Sequence, residues 1–295
     1  MNKTRLYPIT LVLIAAFLGG LSIPISRLLL GEISPVLMSA LLYLGSAAGL
    51  TPLIYLRRVT KRRTSEETRL RREDIPWLAG SILSGGIFAP ILLMYSLRVT
   101  APATASLLLN FESVATTILA VVIFKEAVGR RVVWAVVFIT AGSILLALET
   151  GNGWGISTGA IGIIGTTLCW GLDNNLTRRI SVKDPFVIGA IKGLVSGLVS
   201  LALAFVLRNP LPRTAATLGA LALGAVSYGI ALALFISGMR FLGAARTSAL
   251  FGTAPFWGAM LSFIIFREIQ WLVFISLPLM AVGTLLLLGE KDALV

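Results

Sequence analysis

The chain has 295 residues, of which 57% are hydrophobic and only 13% are charged. A water-soluble domain carries about twice that charged fraction, so the composition excludes a soluble globular protein and indicates a polytopic membrane protein. The net charge of +12 does not indicate nucleic-acid binding, because the basic residues stand in connections between apolar stretches. Histidine is absent and Cys169 is the only cysteine. The chain therefore lacks the residues for an internal disulfide, for a Cys/His metal site and for acid–base chemistry by histidine, and no cofactor is predicted.

Ten stretches of about 20 mainly apolar residues are long enough to be transmembrane helices. In chain order they cover 7–31, 35–56, 75–97, 101–124, 130–148, 157–178, 185–207, 216–239, 244–266 and 270–289. The N-terminal stretch starts like a signal sequence, but no small-residue cleavage site ends it, so we interpret it as a retained first helix. The longest connection, 57–74, has mixed charge and is predicted to be a solvated helix or coil. The predicted fold class is an all-α, multi-pass protein of the cell membrane.

The basic residues divide unevenly between the two sides of these spans. Nineteen fall on the side of the chain termini and five on the opposite side, while Lys192 lies inside span seven. Cytoplasmic loops of membrane proteins are enriched in Lys and Arg, so both termini are predicted to be cytoplasmic.

Two segments 142 residues apart resemble each other. RVTAPATASLLLNFESVATTILAVVIFKE (98–126) and RFLGAARTSALFGTAPFWGAMLSFIIFRE (240–268) share eight identical positions, and their charged ends align. The comparison divides the chain into two five-helix repeats, 1–149 and 150–295, within one integral membrane unit. Because five is odd, the second repeat enters the membrane from the opposite side. Such inverted repeats are typical of alternating-access transporters, whose substrate site lies near the membrane midplane.

The ten spans, the inverted repeat and the FKE and FRE ends of spans four and nine resemble the EamA-type carriers of the drug/metabolite transporter superfamily. Residues 254–268, APFWGAMLSFIIFRE, match the family pattern of a small-residue-rich helix with a proline, here Pro255, then an aliphatic run and a charged end. The resemblance covers nearly the whole chain. It implies export or exchange of small organic solutes, including amino acids, their metabolites and drugs.

Glu112 is a carboxylate near the middle of span four. At 1.5 Å per residue it is about 16–20 Å from either membrane interface, too far for its side chain to reach water. An ionised group at that depth costs at least about 2.5–3.5 kcal/mol, so it must face a cavity, pair with another group or be protonated. Either Glu112 binds a substrate ammonium or couples a proton, or it is a structural hydrogen-bond acceptor.

Further candidate cavity residues lie in neighbouring spans. Trp170 and Asp173 share one helical stripe of span six, with Asn174 beside them, and either line a cavity or form an interfacial or packing cluster. Lys192 either pairs with Asp173 or Glu112, or extends to the interface. Three aromatic residues inside spans are candidates for cavity walls or for core packing: Tyr95, Tyr228 and Trp257. Three prolines that interrupt spans are candidate hinges: Pro24, Pro90 and Pro255.

The sequence therefore predicts a secondary transporter that moves small organic metabolites out across the cytoplasmic membrane by alternating access. Amino acids or related zwitterions are the leading substrates, with a cation at Lys192 or Arg246 for their carboxylate and a proton or exchange solute as a further partner. The alternatives are a lipid or drug translocator and a non-transporting scaffold or sensor. An enzyme is not predicted, because no HExxH, Walker motif or His/Cys cluster is present.

Overall fold

The computed structural model describes residues 3–60, 69–125, 129–149, 155–267 and 271–288. These residues are almost entirely helical, with one short antiparallel pair of strands, Leu148–Glu149 (β1) and Gly155–Ile156 (β2). Seven helical segments are long and apolar enough to cross a membrane: Tyr7–Leu29, Pro35–Val59, Arg72–Val99, Pro102–Ile123, Arg130–Ala147, Pro185–Val206 and Thr214–Leu242. The chain is therefore a multi-pass membrane protein.

The first half contains eight α-helices and one π-helical segment. They are α1 (Lys3–Gly20), α2 (Ser22–Leu29), α3 (Pro35–Val59), α4 (Ile75–Ser81), the first π segment (Ile82–Phe88), α5 (Ala89–Val99), α6 (Pro102–Leu108), α7 (Phe111–Phe124) and α8 (Arg130–Ala147). A single 3-10 turn, Arg72–Asp74, precedes α4. Of the 57–74 connection the structure describes residues 57–60, where α3 ends, and residues 69–74, which include this turn; the predicted solvated helix or coil at 61–68 lies outside the described residues.

The second half repeats this pattern with different interruptions. It contains α9 (Thr158–Ile180), α10 (Pro185–Val206), α11 (Thr214–Leu223), the second π segment (Gly224–Ile230), α12 (Ala231–Phe251), α13 (Ala254–Phe266) and α14 (Val273–Leu288). The helix α9 has 23 residues but is not among the seven apolar segments, because Asp173, Asn174 and Asn175 make it polar. The apolar helices α13 and α14 are shorter. The count of ten spans remains a prediction that these three helices would complete.

The three predicted hinge prolines lie beside interruptions of helices. Pro24 has no N–H to donate to the carbonyl of Gly20 and its ring crowds that oxygen, which explains why α1 and α2 separate at Leu21. Pro90 directly follows the first residue of α5, where the first π segment ends. Pro255 stands in the first turn of α13, where a missing N–H leaves no intrahelical bond unmade. Their action as hinges remains a prediction.

Helix α12 differs from the predicted boundary between spans eight and nine, which lies between Met239 and Ala244. Helical structure continues from Ala231 to Phe251. The ring centroids of Phe235 and Phe251 are nevertheless only 4.9 Å apart, although the 16 residues from 235 to 251 would separate them by about 24 Å in a straight helix. The chain therefore reverses direction between Phe235 and Phe251, in the region of the predicted boundary, and the two arms of α12 pack together.

Two local features recur in both halves at the 142-residue offset. The first π segment, Ile82–Phe88, corresponds to the second, Gly224–Ile230. Lys125 and Arg267 follow the last residues of α7 and α13, and both adopt left-handed backbone conformations with φ of 54° and 58°. Residues other than glycine rarely adopt this backbone conformation, so the two matched positions share an uncommon local structure.

Helices at corresponding positions in the two halves run antiparallel to each other. Gly189 of α10 lies against Leu50 of α3, whereas Gly197, eight residues later, lies against Leu44. Helices α8 and α14 pack in the same antiparallel way. This is the arrangement that an inverted repeat requires.

The contact between α3 and α10 lies at the centre of the molecule. A Cβ atom on Gly193 would lie 2.7 Å from the backbone nitrogen of Ala47 and the backbone oxygen of Tyr43, so the two backbones can approach this closely only because position 193 is glycine. Helix α3 also packs against α11 and the second π segment. The close approach brings Tyr43 and Lys192 together at the boundary between the two halves.

Candidate functional site

A cavity of about 130 Å³ lies between the two halves of the chain. Helices α1, α2, α3, α6 and α7 line it from the first half, and α9, α10, the second π segment, α12 and α13 line it from the second. Its polar side chains are Ser22, Tyr43, Ser106, Glu112, Ser113, Trp170, Asp173, Asn174, Lys192, Ser227 and Tyr228. The apolar part of the wall includes Ile23, Leu232, Phe235 and Phe251.

Lys192 and Asp173 form a buried ion pair at the edge of this cavity. Lys192 is only 1% exposed, and its Nζ lies 2.6 Å from Oδ1 and 2.7 Å from Oδ2 of Asp173. The hydroxyl of Thr177, one turn further along α9, donates a hydrogen bond of 2.9 Å to Oδ1. Of the alternatives left open by the sequence, Lys192 therefore pairs with Asp173, not with Glu112, and does not extend to the interface.

Glu112 stands in the first turn of α7, directly after the break at Leu109 and Asn110. The amide nitrogen of Asn174 donates to Glu112 Oε1 at 2.8 Å and to the hydroxyl of Thr116 at 3.1 Å. Among the residues that the structure describes, no Lys or Arg lies within 4.0 Å of this carboxylate, and its second oxygen accepts no hydrogen bond. The N-terminal turn of a helix favours negative charge, but Glu112 has no cationic partner there.

Amide hydrogen bonds hold α9 against α7 and thereby fix the distance between Asn174 and Glu112. Asn175 Nδ2 donates to the backbone oxygen of Thr116 at 3.0 Å and to that of Gly171 at 2.8 Å. The bond to Thr116 crosses between the halves of the chain, whereas the bond to Gly171 lies within α9. The carboxylate of Glu112 thus belongs to the first half, while the side chain that orients it belongs to the second.

One carbonyl oxygen organises the aromatic part of the wall. The hydroxyl of Tyr43 donates to the oxygen of Gly85 at 2.6 Å, and the indole Nε1 of Trp170 donates to the same oxygen at 3.1 Å. Gly85 lies in the first π segment, where the regular α-helical hydrogen bonding is interrupted. The rings of Tyr43 and Tyr228 pack with centroids 5.4 Å apart. Three aromatic side chains, Tyr43, Trp170 and Tyr228, therefore face the cavity.

Six of the eight predicted cavity residues line this cavity: Glu112, Trp170, Asp173, Asn174, Lys192 and Tyr228. Tyr95 and Trp257 do not, which corrects their predicted placement. Tyr95 is 49% exposed because it lies on the face of α5 opposite the buried Leu93 and Leu97. Trp257 is 40% exposed, and its ring packs edge-on against Phe17 with centroids 5.5 Å apart. A position in the middle of a span does not determine which helical face a residue occupies.

Sequence reasoning missed Tyr43, Phe235 and Phe251. For Tyr43 a signal existed, since a buried tyrosine needs a partner for its hydroxyl and therefore marks a polar contact inside an apolar helix. For the two phenylalanines the predicted boundary between spans eight and nine indicated that the chain reverses between them, but nothing in the sequence indicated that their two rings face each other. The aligned Glu126 and Glu268 lie outside the described residues, as does the side chain of Arg246.

Polar interactions close one end of the helical bundle. Arg57 lies 3.4 Å from Asp184, and Lys183 lies 3.1 Å from Asp74. Arg240 donates to backbone oxygens of the α9–α10 connection, at 2.7 Å to that of Lys183. An apolar cluster separates this network from the cavity; its buried members are Ala15, Ile180, Ile188, Phe235, Ile236 and Met239.

Comparison with known proteins agrees with this architecture. The chain matches the EamA-like transporter family over residues 6–148 and again over 157–289. An uncharacterized transporter of Methanothermobacter thermautotrophicus is 28% identical over 279 residues, covering 90% of this chain and 80% of the relative. The uncharacterized transporter YyaM of Bacillus subtilis is 26% identical over 290 residues, covering 90% and 88%.

A solved crystal structure has the same fold. It superposes with a TM-score of 0.67 at 21% identity, covering 94% of this chain and 95% of that chain. The two matched regions, 6–148 and 157–289, each supply one side of the cavity described above. The chain belongs to the EamA-like transporter family, and it is a multi-pass transporter of the cell membrane.

Proposed function

We propose that the protein is a secondary transporter that moves small organic metabolites bearing an ammonium group out of the cell by alternating access. The observation that carries the proposal is Glu112, a carboxylate without a cationic partner among the described residues, in a cavity built by both halves of the chain. A charged group inside a membrane protein is retained at a cost in free energy, and it commonly marks the path of a substrate or an ion.

The symmetry of the two halves supports alternating access. In an inverted repeat, the two halves can exchange conformations and so expose one central site to either side of the membrane in turn. The antiparallel packing of α3 with α10 and the recurrence of the π segments at matched positions are the features that such an exchange requires. The division into five-helix repeats at 149/150 is part of this proposal.

The size and the lining of the cavity support a small solute. Pockets for drug-sized ligands measure roughly 300–1,000 Å³, whereas this cavity measures about 130 Å³. Amino acids and related zwitterions are the first compounds to test. A proton is a suitable coupling ion because Glu112 can carry one, and exchange with a second solute would use the same site.

The test is counterflow uptake into proteoliposomes that contain the purified full-length protein. The panel comprises amino acids, primary amines, sugars and nucleosides, and the matched variants are Glu112→Gln and Glu32→Gln. Glu32 is an exposed carboxylate outside the cavity, so its variant controls for the loss of one negative charge. We expect saturable uptake of an ammonium-bearing compound that falls at least about tenfold in Glu112→Gln, since a hydrogen bond or ion pair to a charged group contributes about 1.5–3 kcal/mol.

Two results would contradict the proposal. Saturable uptake of no panel compound by folded protein would favour the scaffold or sensor alternative. Uptake by folded Glu112→Gln at the wild-type rate would show that the carboxylate is a structural acceptor for Asn174 only.

A further inference from the structure

The charges around the cavity distinguish between two kinds of ammonium-bearing substrate. Three lining residues are charged at neutral pH in their usual states: Glu112, Asp173 and Lys192. A zwitterion such as an amino acid needs a cationic or strongly donating partner for its carboxylate as well as an anionic partner for its ammonium. The charged side chains of the cavity that are not already paired therefore determine whether the ammonium group, the carboxylate or both would find a partner.

The positive charge of Lys192 is already neutralised by Asp173. Both oxygens of Asp173 lie within 2.7 Å of its Nζ, and the residue is 1% exposed. A substrate carboxylate at Nζ would have to compete with Asp173 for the same ammonium, and displacing Asp173 would leave one carboxylate buried and unpaired. Lys192 and Asp173 together contribute no net charge to the cavity.

No other cation lines the cavity among the side chains that the structure describes. The hydroxyl of Tyr43 is already engaged with the oxygen of Gly85 at 2.6 Å. The N-terminus of α13 carries the partial positive charge of a helix end, but Pro255 in its first turn has no N–H to donate. A substrate carboxylate would thus share the cavity with two protein carboxylates and gain no counter-charge.

Glu112 is the free charge of the wall. One of its oxygens accepts the amide hydrogen bond from Asn174, and the second accepts none within the described part of the chain. The aromatic faces of Tyr43, Trp170 and Tyr228 add to the attraction for a cation, because the face of an aromatic ring is electronegative. When Glu112 is ionised, the cavity as a whole carries one uncompensated negative charge.

The volume of the cavity limits the apolar part of the substrate. An apolar cavity of about 150 Å³ holds one benzene molecule, and this cavity measures about 130 Å³. Phe235 and Phe251, whose rings pack at 4.9 Å, supply an apolar surface on the α12 side. The space therefore limits the apolar part of the substrate to a body of about the size of one benzene ring.

We infer that the preferred substrate is a small primary-amine monocation with one ring-sized apolar body, in preference to the zwitterion or the anion built on the same body. This inference rests on the proposed transport function and narrows its substrate class. The amine places its ammonium at Glu112 and its ring against the aromatic wall, while the Lys192–Asp173 pair stays intact.

A set of three compounds that differ only in charge tests the inference. Phenethylamine is the monocation, phenylalanine the zwitterion and 3-phenylpropionate the anion, and each competes for counterflow of radiolabelled phenethylamine in proteoliposomes of the full-length protein. We expect phenethylamine to compete at a concentration at least about tenfold lower than phenylalanine, because a like-charge contact costs several kcal/mol. We expect 3-phenylpropionate not to compete.

Glu112→Gln should abolish the preference for the amine, whereas Glu32→Gln should keep it. The comparison of the three compounds on the wild-type protein stands alone if Glu112→Gln does not fold. Uptake of labelled phenylalanine that equals or exceeds that of phenethylamine would overturn the inference and leave the transport function standing. Uptake of none of the three would also overturn it, and the broader panel described above would then decide the transport function separately.

Discussion

Replacing Asp173 by asparagine keeps the shape of the side chain but removes the negative charge that faces Lys192. The asparagine oxygen can still accept the hydrogen bond from Thr177. Lys192 then remains with its ammonium group in a site where it is 1% exposed and where two oxygens at 2.6 and 2.7 Å had neutralised it. We therefore expect a large loss of stability.

The size of this loss follows from the burial of the pair. Removing one partner of a buried ion pair costs about 3–5 kcal/mol, because an uncompensated charge is left inside. Since every 1.4 kcal/mol is a factor of ten, the unfolding equilibrium constant should rise by roughly two to three and a half powers of ten. At about 2 °C per kcal/mol for a chain of this length, the melting temperature should fall by about 6–10 °C.

A double-mutant cycle separates the ion pair from other effects. Lys192→Met in the Asp173→Asn background removes the stranded ammonium, so the double variant should regain most of the lost stability. Thermal unfolding of purified protein in detergent, followed by size-exclusion recovery, measures each member of the cycle, with Glu32→Gln as the matched control. The reasoning is refuted if Asp173→Asn melts with the wild type, or if the double variant is no more stable than the single one.

Three further predictions concern the framework of the cavity. Gly193→Val should destabilise the fold by about 1–3 kcal/mol, because the valine side chain would clash with the α3 backbone. Gly31→Ala is the control, since a Cβ atom there would lie 3.5 Å from its nearest neighbour, and it should have the wild-type melting temperature. Equal melting temperatures of the two variants would exclude the close contact. Lys125→Gly should stabilise the protein by about 1 kcal/mol in thermal unfolding, because glycine adopts a φ of 54° without the steric strain of a Cβ atom. A lower melting temperature than that of the wild type would contradict the left-handed conformation at this position. Trp170→Phe should lose no more than about 1 kcal/mol, since Tyr43 still donates to the carbonyl that the indole leaves; a loss above about 3 kcal/mol would show that the indole has a larger structural role.

Much of the candidate site could be predicted from the sequence, because charges inside apolar helices are few and costly. Glu112, Asp173 and Lys192 are conspicuous in apolar spans. Because pairing lowers the cost of a charge inside the membrane, the sequence suggested either Asp173 or Glu112 as the partner of Lys192. The choice between Asp173 and Glu112 could not be made, since it depends on how α9 and α10 are rotated against each other. Periodicity describes one helix at a time and contains no information on that rotation.

The errors have the same origin. Tyr95 and Trp257 were placed in the cavity because of their depth in a span, yet they lie on outer faces of α5 and α13. The aromatic pair of Phe235 and Phe251 depends on a reversal of the chain between them, and the sequence signals a boundary there with Arg240 and Gly243 but does not show which faces of the two arms meet. The 142-residue offset, in contrast, could be found from identical residues in the sequence, and the two π segments are separated by the same offset.

The π segments have a consequence for how the chain tolerates insertions and deletions. A π turn contains one more residue than the α-helical turn that it replaces, so each segment behaves as an α-helix into which a residue has been inserted. Removing one residue from Ile82–Phe88 should restore a plain α-helix and leave the faces of α4 and α5 where they are. Removing one residue elsewhere in the same span would rotate every later side chain by about 100°. The third and eighth spans therefore each contain a place where the length of the helix can change while the flanking helices keep their faces, although the change would fall on Gly85 in one span and on Tyr228 in the other.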